Sequence, residues 1–230
     1  MIRKRVTTIS VLDYGMGNRR SVQKALEHVG ARVEVTRDPA SLAAADGLVV
    51  PGVGAFAAAM ASLGELGLID PIRAAAVDGR PVLGVCLGMQ LLFERSHELG
   101  DTVGLGLLAG EVTRLQTATS PTPPSTPNTL RIPHIGWNEV TMIRPSPLTA
   151  ALPRHGAAFY HVHSYAVRPA DTADVVATTT YGETFATIVA RGAVMGTQFH
   201  PEKSSAHGLA LLGSFARLCA ATDRPAALRA

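Results

Sequence analysis

Cys86 is the residue of this chain most plainly framed for covalent chemistry. It stands in Gly84-Val85-Cys86-Leu87-Gly88, where an apolar run at 81–85 gives way to a segment at 89–94 with helical character. Glycines two residues to either side of a nucleophile let the backbone take a strained turn. That turn lifts the side chain above the strand ends and aims the following N–H groups at the same spot. The amino end of a helix also favours the thiolate over the thiol. Cys219 has no such frame, falls on the apolar face of the last helix, and is read as a core residue.

A thiolate that attacks an acyl carbon needs a proton donor for the leaving group. His200, in the stretch GTQFHPEK at 196–203, ends an apolar strand that Pro201 stops. Glu202, two residues on, can accept from the imidazole, fix its tautomer and stabilise its charged form. Cys86, His200 and Glu202 then make a Cys/His/acid triad in an order unlike that of the serine proteases. Charge on the carbonyl oxygen needs donors too. The loop Pro51-Gly52-Val53-Gly54 lies between a strand and a helix and can offer backbone N–H groups beside that of Leu87. On spacing alone, an ordinary strand-to-helix turn explains this loop equally well. His161 and His163 alternate on one strand face, but no third ligand stands at a familiar spacing, so no metal is expected. DYGMGN at 13–18 reads as a turn at a strand end, without the spacing of a dinucleotide fingerprint.

The elements that must hold these residues alternate in the first half. Strands are expected at 8–12, 33–36, 48–50 and 81–85, with helices through Val22, Ala25, Leu26 and Val29 and over 56–63 and 69–77. Apolar strands separated by helices predict an α/β fold with a doubly wound, mostly parallel central sheet and helices on both faces. The second half is richer in β signals, at 111–115, 138–143, 158–167, 175–180, 184–190 and 194–199, so an antiparallel extension follows, closed by a helix over 205–218. The segment 117–129 has four prolines among Ser, Thr and Asn and reads as an exposed loop inside one domain spanning 1–230, with a flexible tail at 220–230.

Composition narrows the class. With 47% hydrophobic and 17% charged residues the 230-residue chain is too apolar for disorder, and two distant cysteines make no disulfide scaffold. A net charge of +3, without a basic run, gives no reason to expect nucleic acid. The uncharged stretch 47–64 reaches the length of a membrane span, but Pro51, Gly52 and Gly54 interrupt it. The expected setting is reduced, cytosolic and free of membrane.

With these residues in view, GVCLGMQ at 84–90 and GTQFHPEK resemble the triad-type, or class I, glutamine amidotransferases. DYGMGN, PGVGAF at 51–56 and PHIGWN at 133–138 resemble one group among them, the glutaminase subunits of imidazole glycerol phosphate synthase. The resemblance runs from about Ile9 to Leu218. It implies hydrolysis of L-glutamine to glutamate and ammonia without a cofactor, Cys86 attacking the carboxamide, His200 moving protons and Glu202 holding His200. It further implies that Gly52, Val53 and Leu87 form the oxyanion hole and that Gly88, Gln90, Ser164 and Tyr165 line the glutamine pocket. A separate (β/α)8 cyclase subunit, HisF, would receive the ammonia and form imidazole glycerol phosphate and AICAR, with Asn18, Trp137, Asn138 and Lys203 facing it. Arg19, where the family usually has an apolar residue, and the insertion at 117–129 depart from the pattern.

Other readings are the glutaminase of pyridoxal phosphate or guanylate synthesis, a γ-glutamyl hydrolase acting alone, and a non-catalytic amidotransferase-like regulatory module. PHIGWN with DYGMGN speaks against the first, and the intact triad against the last. The glycines of the 51–54 loop suggest that it becomes competent only when the partner is loaded.

Overall fold

The computed structural model describes residues 7–116 and 130–221; the segment 117–129 and positions 222–230 of the expected tail lie outside the described residues. The first half runs β1 (Thr8–Leu12), α1 (Arg19–His28), β2 (Arg32–Thr36), α2 (Pro39–Ala44), β3 (Gly47–Gly52), α3 (Phe56–Glu65), α4 (Ile69–Val77), β4 (Val82–Cys86) and α5 (Leu87–Leu91). Local chemistry explains the starts. Asn18 caps α1 by accepting from the Ser21 N–H, and Asp38 caps α2 ahead of Pro39 at its first turn. One face of α1 buries Val22, Ala25 and Leu26. At six residues, α2 is too short for its periodicity to be read.

The second half runs β5 (Phe93–Ser96), β6 (Thr102–Val103), β7 (Leu108–Arg114), β8 (His134–Met142), β9 (Ala157–His163), β10 (Tyr165–Pro169), β11 (Val175–Tyr181), β12 (Glu183–Arg191), β13 (Val194–Thr197) and α6 (Ser205–Ala221). Several boundaries differ from the sequence reading. The helix expected at 89–94 is α5, which ends at Leu91 because Phe93 enters β5 and pairs with Leu108 of β7. The run 158–167 is two strands, divided at Ser164, whose carbonyl accepts from the Leu115 N–H and draws the chain into another sheet. Residues 220 and 221, assigned to the tail, are the last of α6.

Nine strands form one sheet in the order β2-β1-β3-β4-β13-β12-β11-β8-β9. The first five are mutually parallel, and β12, β11, β8 and β9 extend the sheet antiparallel. β13, expected among the antiparallel runs, instead pairs parallel to β4. A second sheet, β10-β7-β5-β6, was not foreseen. The parallel strands are buried on both faces: Leu48 and Val50 of β3 join one apolar cluster with α3 and α4, while Val49 between them joins the other with α1 and α6. Among the described residues no helix is long and apolar enough to cross a membrane.

Candidate active site

Three adjacent strands, β3, β4 and β13, end side by side, and each delivers one part of the site. Gly52 pairs with Cys86 across β3 and β4, and Thr197 with Val85 across β13 and β4. Cys86 sits at the turn into α5 with φ 55, a left-handed conformation that is strained for a residue with a side chain. Glycines make the turn possible. A Cβ on Gly88 would run into the Val50 carbonyl, and one on Gly84 into the backbone of Gly88. Gly88, expected in the glutamine pocket, therefore serves the close approach of α5 to β3 and is absent from the residues lining the cavity.

His200 follows β13, its backbone N–H donated to the Tyr160 carbonyl at 2.9 Å. Its Nδ1–H donates to Glu202 Oε1 at 2.9 Å, with both side chains at most 2% exposed. Nε2 makes no hydrogen bond to the described residues. Burial opposes a charge on His200, but Cys86 and Glu202 together outweigh it and raise its pKa to about 10. The thiol of Cys86 lies 3.8 Å from the Val162 carbonyl.

A cavity of about 260 Å³ opens at Cys86. Of the sequence-derived candidates, Val53, Leu87, Gln90, Ser164 and Tyr165 line it. Gly52 lies just behind, where a Cβ would meet the Tyr14 hydroxyl and Leu87. That hydroxyl donates to the Pro51 carbonyl at 2.5 Å, so the turn 13–18 braces the loop 51–54. Burial, and then Cys86, push the Tyr14 phenol well above its ordinary value, so it remains a donor. Sequence reasoning missed Glu98, a cavity residue in the turn after β5 that also accepts from the Phe56 N–H at 2.6 Å. A carboxylate in that wall can pair with an ammonium group. A larger cavity, about 840 Å³, lies around Pro81 and Ala193 where β4 and β13 begin, away from Cys86.

Cys219 is buried against Gly47 of β3, and burial followed by nearby Asp46 pushes its thiol far above the usual range. It is a core residue, as the sequence suggested. His161 and His163 form a trio with His134, whose ring stacks on His161 at 4.8 Å. The Tyr165 carbonyl can only accept, so His163 carries its proton on Nδ1 and receives a hydrogen bond at Nε2 from His134 Nδ1. Asn138 Nδ2 then donates to His134 Nε2, while His161 bonds to the Phe159 carbonyl and Thr187. Burial lowers the trio's pKa values, to about 4 for His134 and about 3 for the other two.

The four residues assigned to a partner face divide. Trp137 is 55% exposed on β8, set edge-on to Tyr160, and the Lys203 ammonium lies over the same Tyr160 ring at 5.8 Å. Asn138 turns to the opposite side of β8, toward His134 and the Thr180 carbonyl. Asn18 is the α1 cap. Arg19, the departure beside it, forms an ion pair with Asp13.

Comparison with known proteins agrees with this geometry. The family "Glutamine amidotransferase class-I" matches residues 10–217. "Imidazole glycerol phosphate synthase subunit HisH" of Moorella thermoacetica is 50% identical over 210 residues, covering 91% of this chain and 94% of the relative. The protein of the same name from Symbiobacterium thermophilum is 48% identical over 91% of this chain and 93% of its own length. Among solved structures, one described as a glutamine amidotransferase superposes with a TM-score of 0.69 at 21% identity, over 92% of this chain and 98% of that one. A cysteine elbow beside a buried histidine and its carboxylate, on a chain half identical to these relatives, places the protein in the class-I glutamine amidotransferase family, within the HisH group of histidine biosynthesis.

Proposed function

We propose that Cys86, His200 and Glu202 hydrolyse L-glutamine in the 260 Å³ cavity and that the ammonia passes to a cyclase subunit, HisF, for synthesis of imidazole glycerol phosphate and AICAR. The observation that carries the reading is the buried pair of His200 and Glu202, 2.9 Å apart just beyond β13, the strand next to the Cys86 turn. Glu98 pairs with the α-ammonium of glutamine, and the side-chain carboxamide reaches Cys86. The thiolate adds to the amide carbon, and the N–H groups of Val53 and Leu87 stabilise the negative oxygen. The C–N bond then breaks as His200 gives its proton to the departing nitrogen, leaving a γ-glutamyl thioester and ammonia.

Acylation removes the negative sulfur, one of the two groups that raise the His200 pKa. The ring is then neutral and fit to take a proton from water, which adds to the thioester. Collapse breaks the C–S bond, releases glutamate and restores the ion pair. The exposed Trp137, with Tyr160 and Lys203, supplies an aromatic and cationic surface for the cyclase beside His200, whose backbone N–H is bonded to Tyr160.

The test follows amide-labelled glutamine in the presence of the cyclase and its nucleotide substrate. Label is expected in the imidazole ring, lost with Cys86→Ala and bypassed by high ammonia. Label confined to free ammonia, with no response to the cyclase, refutes the synthase assignment. Equal glutamine turnover with and without the loaded cyclase would show that the 51–54 loop is competent unaided.

A further inference from the structure

Gln198 is fully buried, and its side chain lies between two residues of the site. Its Oε1 is 3.1 Å from Gln90 Nε2, and its own Nε2 is 3.8 Å from Cys86 Sγ. Neighbours fix which way this amide faces. Gln90 Nε2 lies 3.0 Å from the Tyr165 carbonyl, which can only accept, so Gln90 presents its nitrogen on that side. Its second N–H then meets Gln198 Oε1. Turning the Gln198 amide over would set nitrogen against nitrogen at Gln90 and a carbonyl oxygen against the sulfur.

Cys86 therefore has two neighbours of opposite preference. The Val162 carbonyl accepts from the thiol and gives nothing to a thiolate. An amide N–H is a weak partner for a thiol and a stronger, charge-assisted one for the anion. The same donor helps twice in the reaction, before attack on the amide and again when the thioester collapses and sulfur must leave with the electron pair.

We propose that Gln198 is a catalytic residue that donates a hydrogen bond to the Cys86 thiolate, with Gln90 holding its amide in the donating orientation. This rests on the triad reading above. The titratable groups around Cys86 are His200 with Glu202, Tyr14, and across the cavity His163 and Glu98.

Gln198→Glu keeps an acceptor for Gln90 but faces the sulfur with an acceptor in place of a donor. Gln198→Met removes both bonds at similar length. Iodoacetamide alkylation of Cys86 is measured against pH, together with kcat and KM for glutamine in the presence of the cyclase. Both variants are expected to alkylate at the wild-type rate only at higher pH, and to lose about ten- to a hundredfold in kcat with KM little changed. Alkylation profiles that superpose on wild type overturn the proposal, as does wild-type kcat in Gln198→Glu. Cys86→Ala separates the failures: if it still hydrolyses glutamine the triad reading falls, and if it is inert while the Gln198 variants match wild type only the present proposal falls.

Discussion

His200 and the trio of His134, His161 and His163 are all buried and act on one another electrostatically, yet their pKa values shift in opposite directions. In the trio every ring nitrogen meets a neutral group, and burial, helped at His161 and His163 by the neighbouring histidines, lowers the pKa values to about 3 to 4. At His200 the same burial is outweighed by a carboxylate at 2.9 Å and by the Cys86 sulfur. A buried imidazole thus favours its neutral or its charged form according to whether an anion shares its site.

Removing the sulfur breaks this contrast most severely. Cys86→Ala is expected to abolish glutamine hydrolysis and to move the His200 titration, followed by NMR, down toward the trio. Glu202→Gln comes next. The neutral amide no longer favours the Nδ1–H tautomer or the charged ring, and kcat should fall by about 10²–10⁴ with the fold retained by circular dichroism.

The trio gives an acid-stability test of opposite sign. Its folded pKa values lie below the ordinary 6.5, so its stabilisation is complete above pH 6.5 and is lost as pH falls toward 3. Urea unfolding at pH 7 and pH 5 should show the drop, and His161→Phe should flatten it. His200, with its raised value, contributes fully below pH 6.5 and loses that contribution as pH rises through about 10. The smallest effect belongs to His97, exposed between Asp101 and Glu111, whose pKa those carboxylates raise. His97→Ala should lower the melting temperature slightly at pH 6, not at pH 9, and the difference should fade in high salt.

The sequence showed the alternating half, the cysteine turn and the His200–Glu202 pair, because each is local: a period, a glycine spacing, two residues on one short turn. Residues that depend on distant pairing stayed hidden. His134 reaches the trio only because β8 and β9 pair with His134 opposite His163. Glu98 lies in a turn with no periodicity. Gln198 stands inside a stretch whose chemistry was read, but a buried amide is identified by what faces it, here residues far away in the chain. Ser164 likewise divides an unbroken β pattern because Leu115, on another sheet, claims its carbonyl.

The pairing of β4 with β13 also bears on when activity can arise. Cys86 and Gln198 are 112 positions apart, and all of the antiparallel extension lies between them. Closing so long a loop is among the slower events available to a folding chain. Until it closes, Cys86 has no histidine beside it. Hydrolysis of glutamine therefore reports completed folding, and a partly folded or still-emerging chain cannot release ammonia into solution ahead of any partner that would receive it.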